Sequence, residues 1–67
     1  MWLFFRRTPN LITAEMWKEL LENQGVPVHL HIAPEHLGMG DQAPRIVMVP
    51  KEKRRIAEEV IKETFFH

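Results

Sequence analysis

The chain contains no cysteine, no tyrosine and no serine. Without cysteine there is no disulfide, no thiolate metal centre and no cysteine nucleophile. Without serine, a serine nucleophile is excluded too. Glycine is scarce, at Gly25, Gly38 and Gly40 only, and these form no phosphate-cradling loop. Neither sign of charge is in excess, since nine basic residues balance nine acidic ones. No net field therefore draws the chain to nucleic acid or to a membrane surface. A long hydrophobic run is also missing. Met1-Trp2-Leu3-Phe4-Phe5 is apolar but meets Arg6, Arg7 and Pro9 at once. A signal peptide places charge first and a longer apolar stretch after it, and a membrane span needs about 20 apolar residues. The expectation is a cytoplasmic protein, and the lack of cysteine fits a reducing compartment.

What remains is an ordinary globular composition, 45% apolar and 27% charged, in 67 residues. That length holds one domain, residues 1–67. So short a chain buries only about 60% of its unfolded surface and usually gains stability from disulfides, a metal or self-association. With disulfides excluded, association is the expected supplement.

The order of elements is strand, helix, strand, strand, helix. Trp2 to Arg6 is aromatic and apolar, as strands prefer. Thr8-Pro9 reads as a helix start, with Asn10 as a rival cap. Leu11, Ala14, Trp17, Leu20 and Leu21 then recur at helical spacing, and Gly25 stands where a left-handed terminator belongs. Val26 to Ile32 alternates, placing Val26, Val28, Leu30 and Ile32 on one face and Pro27, His29 and His31 on the other. Ala33 to Pro44 is punctuated by proline and glycine and reads as a long connection. Arg45 to Val49 is β-branched and apolar. The last helix is expected from near Lys51, burying Ile56, Ala57, Val60, Ile61 and Phe65.

Two helices need one sheet face to cover, giving a two-layer α+β sandwich. A crossover between the first two strands leaves a gap that the third strand fills, so the expected antiparallel or mixed sheet has the order 2-3-1. This is a ferredoxin-like pattern, βαββα, lacking the fourth strand. The first strand is then an edge bearing Trp2, Phe4 and Arg6, the expected interface of a homo-oligomer, most simply a dimer. The outer sheet face is the other candidate interface.

Several pieces resemble a family of small bacterial signal-transducing domains similar to nitrogen-regulatory PII. They are Ala14, Leu20-Leu21-Glu22, Gly25-Val26-Pro27-Val28 and Val47-Met48-Val49-Pro50. The resemblance covers nearly the whole chain through residues that build a fold. It implies a non-enzymatic regulatory or interaction module that acts through protein contacts. PII proteins bind adenine nucleotides and 2-oxoglutarate, but their nucleotide-binding motifs have no match here, and no binding residue carries over.

Two constellations could carry chemistry. His29 and His31 share a strand face, and His36 follows in the connection as a third metal ligand, with Glu35 or Asp41 to add an oxygen. Histidines on a strand surface are more often plain solvent-facing residues. Lys51, Lys53, Arg54 and Arg55, with Arg45 before them, crowd a helix start, where cations oppose the macrodipole and could hold an anion. Charge runs on helices are more often solvated faces. A small metal- or anion-binding sensor is therefore the alternative function. No cofactor is expected. Nucleic acid is not expected as a partner, because the basic cluster is short and no exposed stacking aromatics are evident. The Ala33–Pro44 connection and the basic helix start are the expected working surfaces.

Overall fold

A computed structural model of the chain describes residues 1–32 and 34–65, the side chains of Pro34, His36, Leu37 and Phe65 excepted. The elements run β1 (Trp2–Thr8), α1 (Leu11–Asn23), β2 (His29–Ile32), a 3-10 segment (Pro34–Gln42), β3 (Arg45–Pro50), a 3-10 turn (Lys51–Lys53) and α2 (Arg54–Phe65). The sheet has the order β1-β3-β2, with both pairings antiparallel. The expected α+β class and strand order are what the chain adopts.

Alternation in β3 sets the layers. Arg45, Val47 and Val49 are buried, while Ile46 and Met48 are half-buried. The buried side meets the helices, where Phe5, Leu21, Val26, Val28, Val47, Val49, Ala57 and Ile61 form one apolar cluster. Trp17 packs against this cluster and meets the Phe5 ring edge-on at 6.4 Å. The largest fully buried apolar side chains are only leucine and valine. The core is therefore thin, as a chain of this length dictates.

Helix ends follow local chemistry. The α1 cap is Asn10, whose side-chain oxygen accepts from Thr13 N at 2.9 Å. Thr8, the expected cap, is instead the buried last residue of β1. Its hydroxyl lies 3.2 Å from Arg45 O and 3.4 Å from Asn10 O, so it serves the strand pairing. At the other end Gly25 adopts φ +83°, Gly25 N donates to Glu22 O and Val26 N to Leu21 O. That is a Schellman closure, and it buries Val26 against Leu21.

Three further expectations are corrected. Most of the long connection is 3-10 rather than irregular. The basic segment opens with a 3-10 turn, so α2 starts at Arg54. Ile56 is 40% exposed, because the buried stripe of α2 centres on Ala57 and Ile61 and Ile56 lies about 100° away from Ala57.

Candidate functional site

The helices cover one side of the sheet and leave the other open. Strand register defines that open face. Phe4, Met48 and His29 form one row across the three strands, and Arg7, Ile46 and His31 form the next. Trp2 lies beyond them, opposite Pro50. Trp2 is 39% exposed and Phe4 57%, so the two exposed aromatics of β1 stand outside the core. All nine carboxylates fall on helical or 3-10 segments, and none falls on a strand. The open face is therefore apolar and aromatic, with Arg7, His29 and His31 as its polar groups.

The two histidines are neighbours, as alternation requires. Their ring centroids are 6.2 Å apart, and the Trp2 ring meets His29 edge-on at 4.0 Å. The side chain of His36, the third expected ligand, lies outside what the structure describes. Among the described residues, no group of three histidine or carboxylate side chains could hold a metal. The pair thus supplies two ligands where a structural zinc site needs four.

The basic constellation separates. Arg45 pairs with Thr8 at one end of β3, while Pro50, leading into Lys51, pairs with Trp2 at the other. Five residue steps put about 17 Å between those ends. Arg45 is only 7% exposed, and its guanidinium donates to Ala43 O at 2.6 Å and to Gly40 O at 3.3 Å. It pins the 3-10 segment to the sheet, and those bonds occupy it. Arg54 pairs with Glu58 at 3.5 Å, four residues on. Lys51, Arg54 and Arg55 are exposed and Lys53 half-buried.

The expected interface residues also part company. A bulge interrupts the β1–β3 register between Phe4 and Arg6. It places the extra residue, Phe5, in the core and turns Arg6 toward α2, away from Trp2 and Phe4. Arg6 Nη1 donates to Phe5 O at 2.8 Å, and the guanidinium lies 4.5 Å over the Phe5 ring. A strand adding to this edge meets an irregular backbone whose Phe5 carbonyl is already engaged. Bulges and charges of this kind blunt edges against pairing.

Which aromatics of β1 stand on the open face was not legible in sequence, because Trp2-Leu3-Phe4-Phe5 is apolar throughout and does not say which side the helices take. The exposure of Trp2 and Phe4 also removes one ground for setting nucleic acid aside, the absence of exposed aromatics. Compared with protein-family models, curated proteins and solved structures, the chain has no match in any of the three.

Proposed function

We propose that this chain is a ferredoxin-like sandwich without its fourth strand that works as a non-enzymatic, self-associating interaction module, with a regulatory role of the PII-like kind. The single observation that carries self-association is the open sheet face, where Trp2 and Phe4 stand exposed beside half-buried Ile46 and Met48. The occupant we assign to it is a second copy of the chain. The core is thin and lacks disulfides, so covering this face adds the aromatic burial that the helices do not supply. The blunted β1 edge favours the face over the edge as the interface. Opposed strand directions across a two-fold axis would set Arg7 of one copy toward Trp2 and Phe4 of the other, a cation–π arrangement that keeps the arginines apart.

Single-stranded nucleic acid is the competing occupant, since bases stack on exposed aromatics. Such sites also need a cationic groove that follows the phosphates. Among the paired strand residues of this face, Arg7 is the one arginine or lysine, and the chain is neutral.

Size sets the strength. Three strands of this length present roughly 14 Å by 20 Å, about 280 Å² in projection. A stable interface takes about 800 Å² per partner. So small a face argues for a weak dimer, and a dissociation constant of about 10–100 µM is the expectation that a concentration series checks. Sedimentation velocity from about 5 to 500 µM should show the mass rising from one chain to two. Phe4→Glu should hold the monomer throughout, and Ile12→Glu on the exposed side of α1 should change nothing. A monomer at the highest concentration, or a dimer lost in Ile12→Glu and kept in Phe4→Glu, rules the face out. Fluorescence anisotropy with a single-stranded RNA at low salt should stay flat. A binding curve abolished by Trp2→Ala would put nucleic acid in place of the second copy.

A further inference from the structure

On the helix side, an open groove of about 590 Å³ lies between β1 and α2, and its described lining residues are Arg6, Arg55, Glu58, Glu59, Ile61 and Lys62. Arg55, Glu58, Glu59 and Lys62 lie three, four and seven residues apart, so they form one stripe of α2 facing Arg6. Ile61 is part of the core and supplies an apolar floor. Arg6 reaches the groove because of the bulge. Regular alternation after Phe4 would send Phe5 to the core and Arg6 to the open face, and the extra residue reverses the phase.

Most of the described charges in this groove have no ionic partner. Glu58 is paired with Arg54, which is not among the groove residues. Among the described residues, Arg6, Arg55, Lys62 and Glu59 make no ion pair within 4.0 Å. Among the described residues, with Arg54 set against Glu58, the groove holds three cations against Glu59, a local excess of positive charge in a neutral chain. Arg6 is also held in place by the Phe5 ring beneath it and by its bond to Phe5 O, which leaves most of its N–H donors uncommitted. A planar, pre-oriented guanidinium beside further cations is suited to an oxyanion, which it can bind through two parallel bonds.

We propose that this groove binds a small organic anion, a carboxylate or phosphate headgroup on an apolar body, with Arg6 as the anchor. Arg55 and Lys62 flank the headgroup. The aliphatic stems of Arg55 and Lys62 receive the body above the nearly buried Ile61, and Glu59 accepts a hydrogen bond from a hydroxyl or amine on it. The site lies on the opposite side of the sheet from Trp2 and Phe4, so it does not depend on self-association. The proposed site differs from the anion site expected at the helix start. Arg55 belongs to it, Arg6 and Lys62 join it, and Arg45 leaves it.

The test is amide chemical-shift titration at low salt with phenyl phosphate, benzoate and inorganic phosphate, using the Phe4→Glu chain so that association does not contribute. Phenyl phosphate and benzoate should shift Arg6 and residues 55–62 saturably, and inorganic phosphate should bind about ten-fold more weakly for want of a body to bury. Arg6→Gln should weaken phenyl phosphate at least about ten-fold, Arg6→Lys by less, and Lys18→Gln on α1 not at all. If Arg6→Gln does not fold, the exposed pair Arg55→Gln and Lys62→Gln should give the same loss. Absent or unsaturable shifts, shifts centred on residues 51–54, inorganic phosphate binding as tightly as phenyl phosphate, or full binding by Arg6→Gln would each overturn the proposal.

Discussion

Arg45 heads a strand in sequence and becomes an internal brace in the fold. Its guanidinium holds the carbonyls of Gly40 and Ala43, and Ala43 is fully buried. Removing the side chain leaves a buried carbonyl without its charged donor, which costs about 1.5–3 kcal/mol. Arg45→Ala should therefore lower the unfolding free energy measured by urea denaturation by that amount and speed protease cleavage within residues 34–42. Unchanged stability would mean that the 3-10 segment does not depend on this anchor. Asn10 acts at the entry to α1, where it accepts from Thr13 N. Asn10→Ala should cost about 1 kcal/mol, whereas Asn10→Asp should cost little, since both Asn and Asp cap well. Neither role could be chosen from residue type alone. Thr8, Pro9 and Asn10 are all acceptable at a helix start, and the choice falls to Asn10 because Thr8 is drawn into the ladder opposite Arg45.

The elements themselves were largely legible. Alternation located His29 and His31 on one face, helical spacing located Ala14, Leu21, Ala57 and Ile61 in the core, and Gly25 marked the end of α1. What periodicity missed is the bulge in β1. An extra residue breaks the two-residue repeat, and Phe4-Phe5-Arg6-Arg7 bears no turn residue to announce it. The same limit applies to the histidines, which register brings within 6.2 Å of each other without a third described ligand. Two imidazoles alone should bind zinc no tighter than tens of micromolar, roughly. His36→Ala should leave that affinity unchanged in a zinc titration followed by competition with a chelating dye. A ten-fold loss would instead make His36 the third ligand of a sensor site, reviving the alternative function.

The molecule as a whole divides its chemistry between two sides of one sheet. Every carboxylate side chain lies on a helical or 3-10 segment, and no strand residue of the open side carries one. Each side has its own expectation, a weak dimer through Trp2 and Phe4 and an anion beneath α2. The Phe4→Glu chain separates them, since it should abolish the first and keep the second. The class, the order β1-β3-β2 and most of the core were readable from the chain, because burial periodicity, capping and crossover rules are short-range or topological. Which aromatics stay outside, where Arg6 points, and that Arg45 is spent on backbone carbonyls were settled only by the tertiary structure. The first two depend on the phase of β1 against β3 across more than 35 residues of sequence, which one inserted residue reverses, and the third on how the 3-10 segment folds back beneath the start of β3.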